Sequence, residues 1–239
     1  MTTKIFSISE ALRFGWNTTK SNLGILVGFS IANLVIFRIL FITPNIATEN
    51  IFLGVISFII TMVLFIAVTM GIIKTALRLY DQEKARFSDF FSQYHLFFRY
   101  LFAMVLLGLI IWAGTILFII PGIIWGIKYS FCYYFVIDKK SKSRESLKQS
   151  AVITQGIKWQ LFAFFTVITL INILGASPSL LSLFVTFPTF ILVLDGLLLS
   201  IVSLVILPIT MLATAFVYRK LLTQTEVAPA SQTLSGATV

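Results

Sequence analysis

The sequence has one cysteine, one histidine and nine acidic residues in a chain of 239. The single Cys132 excludes a disulfide within the chain and a metal site built from cysteines alone, and the single His95 excludes a site built on a histidine pair. Charged residues make up 11% of the chain, whereas soluble domains have about 25%. So little charge cannot cover a water-soluble globule, which excludes an ordinary soluble enzyme.

Hydrophobic residues, in contrast, make up 58% of the chain, and the mean hydropathy is +0.99. This excludes a disordered protein, because disorder requires low hydrophobicity. The composition therefore predicts a polytopic membrane protein. Its 18 Lys and Arg residues give a formal net charge of +9. In a membrane protein this excess indicates cytoplasmic loops and anionic lipid headgroups before it indicates nucleic acid.

A helix that crosses a bilayer needs about 20 mostly apolar residues. The predicted spans are Leu23–Ile42, Ile51–Ile73, Tyr100–Ile120, Ile123–Ile137, Trp159–Gly175 and Gly196–Tyr218. Ser177–Leu194 contains two prolines and is either a re-entrant segment or a seventh crossing, of which the pattern favours the first. The predicted fold is thus an all-α, six-span transmembrane bundle over residues 1–222. Residues 223–239, poor in large apolar side chains, are predicted to be a disordered cytoplasmic tail.

The basic residues indicate how the chain is oriented. Sixteen of the 18 fall on one side of the six predicted spans, and the other two, Arg38 and Lys128, lie inside spans. Because cytoplasmic loops are enriched in Lys and Arg, both termini are predicted to be cytoplasmic. A seventh crossing would place Arg219 and Lys220 outside, so the charge pattern argues against it.

Each pair of predicted spans follows a short amphipathic segment. The first contains Ile8, Leu12 and Trp16 at helical spacing, the second is an aromatic stripe from Phe87 to Phe98, and the third is Ser143–Ile157. Such helices can lie in the headgroup plane with their apolar faces in the membrane. They can also be the cytoplasmic ends of span helices packed on one another. The pattern alone does not separate these two interpretations.

Several residues are candidates for contacts with lipid. Lys139, Lys140, Lys142 and Arg144 form a basic cluster after the fourth span, and cations at this position attract anionic headgroups. Asp138 and Glu145 flank or interrupt the cluster, where solvated salt bridges are expected. The predicted partners are therefore membrane lipids of anionic type and no nucleic acid.

The fourth span also carries a helix-packing pattern. Gly122, Gly126 and Ser130 recur every four residues, and such small residues let another helix approach closely. Pro121 lacks an amide donor and suits the first turn of this span. The Pro121-Gly122 pair is predicted to form a tight external hairpin.

Three charged residues are predicted to lie at similar depth toward the external side: Arg38, Lys128 and Asp195. A lone charge costs about 2.5–3.5 kcal/mol at the membrane centre on insertion scales and less toward the interface. Asp195 can reduce this cost by pairing with Lys128 or Arg38. The alternative is that each side chain reaches water separately.

The sequence contains no P-loop, G-x-S-x-G, H-E-x-x-H or C-x-x-C motif. The prediction is therefore that the protein is not an enzyme, with no catalytic, cofactor-binding or metal-binding residues. Two functions remain. The first is an accessory, scaffold or lipid-interacting membrane module, for which a closed bundle is expected. The second is a small transporter or permease-like protein, for which a water-accessible cavity should reach the charges within the spans.

Several short elements occur in an order that resembles a bacterial membrane family of unknown function. They are Glu10-Ala11-Leu12, Ile119-Ile120-Pro121-Gly122-Ile123, Glu145-Ser146-Leu147-Lys148, Thr154-Gln155-Gly156 and Tyr218-Arg219-Lys220-Leu221. Relatives of this family include YciC-type inner-membrane proteins and the membrane domain of some glycerophosphoryl diester phosphodiesterases. The resemblance implies an all-helical domain in the bacterial cytoplasmic (inner) membrane. It transfers no catalytic residue, and the soluble phosphodiesterase barrel is absent here.

Overall fold

The computed structural model describes residues 6–90, 92–175 and 189–235. All regular elements in these ranges are helical. The α-helices are α1 (Ile8–Ser21), α2 (Leu23–Glu49), α3 (Ile51–Tyr80), α4 (Phe97–Leu117), α5 (Ile119–Lys128), α6 (Cys132–Asp138), α7 (Ser143–Ile153), α8 (Lys158–Gly175) and α9 (Thr189–Ser235). Two 3-10 helices, Phe87–Phe90 and Tyr94–Leu96, precede α4. The predicted all-α class is confirmed.

Four segments in the described ranges are long and apolar enough to cross a membrane. They are Ile51–Tyr80, Tyr94–Leu117, Ile119–Asp138 and Leu204–Glu226. The number rises to six if two bent pairs of helices each count as one span: α1 with α2, bent by 101°, and α7 with α8, bent by 105°. These helices form an all-α bundle of the kind expected for a multi-pass membrane protein.

The last helix, α9, is the centre of the bundle. Its contacts include α1, α2, α3 and α8. Leu212, Ala213, Ala215 and Val217 of α9 are completely buried. The packing around this helix includes the main buried cluster of the described residues, and Leu207 and Met211 of α9 pack against a second, separate cluster.

Large apolar side chains are exposed on the outside of the bundle, along α3 and at the α4–α5 hairpin. Examples are Ile51, Phe52, Trp112 and Phe118. A soluble monomer rarely exposes contiguous apolar surface of more than a few hundred Å². A lipid bilayer covers such a surface without cost, so the exposed residues agree with the apolar composition.

The turn between α2 and α3 is tighter than predicted. Helix α2 continues beyond the predicted span end at Ile42 to Glu49, and α3 starts at Ile51. Asn50 caps α3, since its Oδ1 accepts hydrogen bonds from the backbone N–H groups of Phe52 at 3.0 Å and Leu53 at 3.3 Å. A single capping residue therefore connects the two helices, where the predicted spans leave residues 43–50 as a loop.

The turn between α4 and α5 lies at Phe118, whose backbone is extended, and not at Pro121-Gly122. Both of those residues lie in the first turn of α5. The helices α4 and α5 approach each other closely at this turn. A Cβ atom on Gly122 would come within 2.5 Å of Thr115 Oγ1, and one on Gly114 within 2.9 Å of Gly122 Cα. Gly126 is less crowded, with Ile111 Cδ1 at 3.9 Å, so the close approach is concentrated at the turn.

The fourth predicted span is interrupted between Lys128 and Cys132, where the sequence predicts one continuous helix. Hydroxyl groups of the α7 segment satisfy the freed backbone groups. Ser150 Oγ and Thr154 Oγ1 each donate to the carbonyl of Lys128 at 3.1 Å, and the N–H of Phe131 donates to Ser150 Oγ at 3.2 Å. Ser130 Oγ donates within the break to the Ile127 carbonyl at 2.9 Å. These hydrogen bonds therefore stabilise the break.

Two of the three amphipathic segments are helices packed on the bundle. Helix α1 buries Ala11, Gly15 and Thr19 and packs mainly on α9, while α7 buries Leu147 and Ile153 and packs on α4 and α6. The angle between each of these helices and the helix that follows it is about 100°. Packing between helices thus accounts for their buried faces.

The second amphipathic segment differs from the predicted α-helix, since it forms the two 3-10 helices. The Asp89 carboxylate, which is buried, accepts hydrogen bonds from Arg78 Nη1 at 2.6 Å and from the Arg86 backbone N–H at 3.0 Å. These bonds fold the segment back onto the end of α3. A continuous α-helix cannot fold back in this way, so the segment forms two short 3-10 helices instead.

Two predicted features fall partly outside the described ranges. Residues 176–188 of the candidate re-entrant segment and residues 236–239 of the tail are not described. The start of the predicted tail continues α9: Thr223 Oγ1 and Thr225 Oγ1 each donate at 3.0 Å, to the carbonyls of Arg219 and Leu221. The chain is thus helical at 223–226, while the division into a membrane domain and a disordered tail stays a prediction.

Candidate functional site

The ends of α3 and α6 meet α9 at one end of the bundle. Arg219 of α9 joins them, with Nη2 2.5 Å from Asp81 Oδ2 after α3 and Nη1 2.9 Å from Asp138 Oδ2 at the end of α6. Most of the basic residues in the connecting segments lie at this end. We call it the basic end.

The Arg219–Asp138 pair is largely buried, with side-chain exposures of 18% and 13%. Tyr218 Oη donates a further hydrogen bond to Asp138 Oδ2 at 3.0 Å. The expectation of a solvated salt bridge at Asp138 is therefore wrong. Its partners are about 80 residues away in the chain, so no local pattern could have indicated them.

A large groove opens beside this cluster at the basic end, with a volume of about 600 Å³. We call it the basic groove. It is formed by the start of α4, the loop between α6 and α7, α7 itself and residues 222–226 of α9. Its lining residues are Arg99, Phe135, Lys139, Lys140, Ser141, Lys142, Glu145, Lys148, Gln149, Val152, Ile153, Leu222, Thr225 and Glu226.

The basic groove combines an apolar floor with a cationic rim. Its apolar lining includes the buried side chains of Phe135, Ile153 and Leu222. Five of the lining residues are basic and two are acidic, which leaves three positive charges in excess. A ligand with a negatively charged head and an apolar part matches this surface.

The lysines of the rim differ in their partners. Lys139 Nζ lies 3.2 Å from Glu226 Oε1. Among the described residues, Lys140, Lys142 and Lys148 have no acidic partner within 4.0 Å. Three ammonium groups are therefore available for an anion from outside the chain.

Hydrogen bonds hold the loop that presents Lys140 and Lys142. Lys140 has a positive φ of 52°, and its carbonyl accepts a hydrogen bond from Arg99 Nη1 at 2.6 Å. Ser143 Oγ donates to the Arg99 carbonyl at 2.8 Å, and Ser141 Oγ donates to Gln149 Oε1 at 2.8 Å. The backbone is thus fixed while the Lys140 and Lys142 side chains stay exposed, an arrangement that lowers the entropy cost of binding.

The structure brings three of the four predicted headgroup contacts together in the basic groove. These are Lys139, Lys140 and Lys142, whereas Arg144 is exposed on α7 and is not part of the lining. Sequence reasoning missed Lys148, although residues 145, 148, 149 and 152 share one face of a helix at the spacing i, i+3, i+4, i+7. It also missed Arg99, for which no local signal exists.

The predicted cluster of charges within the spans stays a prediction. The side chains of Arg38 and Asp195 lie outside the described part of the structure. Lys128 lies at the break in the fourth span, and its Nζ is 5.2 Å from the centre of the Tyr129 ring. This contact is a cation–π interaction and leaves pairing with Asp195 open.

Among the residues that the structure describes, no group of three or more His, Cys, Asp or Glu side chains is placed to hold a metal ion. The chemical capacity that the geometry does support is the binding of an anionic amphiphile. Comparison of the chain with protein-family models, with curated proteins and with solved structures finds no match.

Proposed function

We propose that this protein is a non-enzymatic, multi-pass membrane protein that holds anionic lipid headgroups in the basic groove. The observation that carries the proposal is the set of three lysines without acidic partners above an apolar floor, two of them, Lys140 and Lys142, on a fixed loop and the third, Lys148, on α7. The phosphate of a lipid fits the ammonium groups, and its glycerol and upper acyl carbons fit Phe135 and Leu222. Its biological role is that of an accessory, scaffold or lipid-interacting module.

The position of the groove favours a lipid over a soluble anion. The groove lies beside the ends of three segments that are apolar enough to span a membrane, Tyr94–Leu117, Ile119–Asp138 and Leu204–Glu226. A headgroup region borders such helix ends on both sides of a bilayer. Each Lys or Arg near an anionic surface contributes about 1 kcal/mol to membrane attraction. Anionic lipid is thus concentrated where the groove opens.

The proposal includes the orientation of the chain. Both termini and the basic end are placed on the cytoplasmic side of a bacterial inner membrane, in line with the family that the sequence resembles. The support is the collection of the basic connecting segments at one end, through Arg219, Asp81 and Asp138. The cytoplasmic leaflet carries the anionic surface potential that the basic groove requires.

Reporter fusions test this orientation. A reporter fused after Asn50 is expected to be active outside the cytoplasm, because the α2–α3 turn is at the end opposite to the basic end. Reporters fused within Lys139–Lys148 and after Lys220 are expected to be active inside it, because Lys and Arg are retained there. An external reporter after Lys220 would contradict the six-span orientation.

Lipid retention tests the basic groove. The triple variant Lys139→Gln, Lys140→Gln, Lys142→Gln is expected to weaken the binding of anionic phosphatidylglycerol. Of the three changed residues, Lys140 and Lys142 have no acidic partner, and together they should contribute about 2 kcal/mol, or about 30-fold in affinity. Native mass spectrometry of the purified protein with this lipid measures the effect.

A matched variant controls for net charge. Arg13→Gln, Lys84→Gln, Lys158→Gln removes the same charge from exposed positions outside the basic groove, and lipid retention should stay close to that of the unmodified protein. Equal losses in both triple variants would show general attraction and contradict a specific site. Retention of a defined solute in place of lipid would favour the transporter alternative.

A further inference from the structure

A second groove lies on another flank of the bundle, between α3, the 3-10 helix Tyr94–Leu96 and the start of α4. We call it the apolar groove, and its volume is about 410 Å³. Pockets for small ligands have volumes of roughly 300–1,000 Å³. The lining residues are Val63, Leu64, Ala67, Met70, Gln93, Tyr94, Phe97 and Phe98. No charged side chain is among them, which separates this groove from the basic groove.

The long direction of the apolar groove follows α3. Val63, Ala67 and Met70 recur at i, i+4 and i+7, so they share one face of this helix and span about 10 Å along its axis. Met70 is the nearest of the three to the basic end, where α3 finishes at Tyr80. Gln93 and Tyr94 lie at the same end, directly before α4. The groove is therefore polar near the basic end and apolar toward the middle of the bundle.

Gln93 supplies a hydrogen-bond acceptor that no described residue of the protein uses. The residue is 9% exposed, and its Nε2 donates to Ser92 Oγ at 3.1 Å. Its Oε1 has no hydrogen-bond partner among the described residues. Since buried polar atoms are normally satisfied, this carbonyl oxygen indicates a donor that comes from outside the chain.

The surroundings of the groove identify the source of that donor. Val63, Tyr94 and Phe98 are exposed, so the groove opens sideways on two segments that are apolar enough to span a membrane. A lipid of the leaflet at the basic end has its polar head at the depth of Gln93 and its chain at the depth of Ala67 and Val63. We propose that the apolar groove holds the acyl chain of one membrane lipid whose headgroup carries an O–H or N–H donor for Gln93 Oε1.

This site does not depend on the proposed function of the basic groove. It selects a lipid by an apolar channel and one hydrogen bond, whereas the basic groove selects by charge. Phosphatidylethanolamine and phosphatidylcholine distinguish selection by a hydrogen bond from selection by charge. Both lipids are zwitterionic, but only the ethanolamine headgroup has N–H donors.

The experiment uses the full-length protein, delipidated in detergent and supplied with each of these two lipids. Native mass spectrometry should show one phosphatidylethanolamine retained about five to ten times more strongly than phosphatidylcholine, which corresponds to one hydrogen bond. A phosphatidylethanolamine with a photoreactive acyl chain should label residues 63–70 and 94–98. Equal retention of the two lipids, or labelling elsewhere, would overturn the proposal.

Variants separate the two parts of the site. Ala67→Phe should fill the groove and abolish retention, while Val55→Phe, at an exposed position of the same helix outside the groove, should not. Gln93→Leu should remove the preference between the two lipids and keep the acyl contact. Undiminished retention in Ala67→Phe, or a dimer crosslinked through residues 63–70, would refute the lipid site. The labelling of the unmodified protein decides the question if Ala67→Phe does not fold.

Discussion

Replacing Asp138 by alanine is expected to lower the free energy of unfolding by about 3 kcal/mol, because it removes the more buried of the two carboxylates that pair with a mostly buried guanidinium. Arg219 is held by Asp138 at 2.9 Å and by Asp81 at 2.5 Å. Of these two carboxylates, Asp138 is the more buried and also accepts the Tyr218 hydroxyl. Its removal therefore weakens the contact between the end of α6 and α9 and leaves Tyr218 without an acceptor.

The matched control is Glu10→Ala. Glu10 Oε1 lies 3.4 Å from Lys220 Nζ, but the two side chains are 52% and 40% exposed. Exposed ion pairs of this kind contribute about 0–1 kcal/mol, so this variant should unfold almost like the original protein. Unfolding of both variants in detergent, followed by circular dichroism, measures the difference. If Asp138→Ala lowers the free energy of unfolding no more than Glu10→Ala does, the cluster of Arg219, Asp138 and Asp81 does not stabilise the fold.

The helices were predictable because their signal is local. Two of the predicted spans begin where the helices begin, at Leu23 and Ile51. The ends agree less well: α3 continues from the predicted Ile73 to Tyr80. Hydropathy indicates which residues can face lipid. A helix, however, ends where its backbone groups form hydrogen bonds outside the helix, so the end of an apolar run and the end of a helix need not coincide.

The break in the fourth span and the folded segment before α4 were not predictable from local pattern. The break depends on Ser150 and Thr154, about 20 residues further along the chain. The segment depends on the contact between Asp89 and Arg78 of the preceding helix. In both places a polar side chain from another element provides hydrogen bonds that compete with the regular helix.

The candidate site shows the same division. The cluster Lys139, Lys140 and Lys142 is visible in the sequence, since basic residues next to a span indicate headgroup contacts. The groove itself requires Arg99 from α4 and Leu222 from α9. Only the assembled bundle places an apolar floor beneath the lysines, so the sequence indicates charge but not the cavity.

Substituting Gly15 by alanine is expected to destabilise the protein by about 1–3 kcal/mol through overpacking. Gly15 is buried in α1 where this helix crosses α9, and a Cβ atom there would lie 2.5 Å from the backbone carbonyl oxygen of Ile209. A backbone atom cannot rotate away, so the two helices must move apart. This movement also disrupts the packing of Phe14 against Phe216, whose ring centres are 5.3 Å apart.

The control for Gly15→Ala is Gly108→Ala, which is expected to have the opposite sign. Gly108 lies inside α4, and a Cβ atom there would meet nothing within 4 Å. Alanine in a helix interior is favoured over glycine by roughly 0.5–1 kcal/mol, and no steric cost offsets this gain at Gly108. Unfolding of the two variants in the same detergent should therefore shift in opposite directions. Stabilisation by Gly15→Ala would mean that α1 is not held against α9 at this distance, and the amphipathic helix would then be free to lie in the headgroup plane.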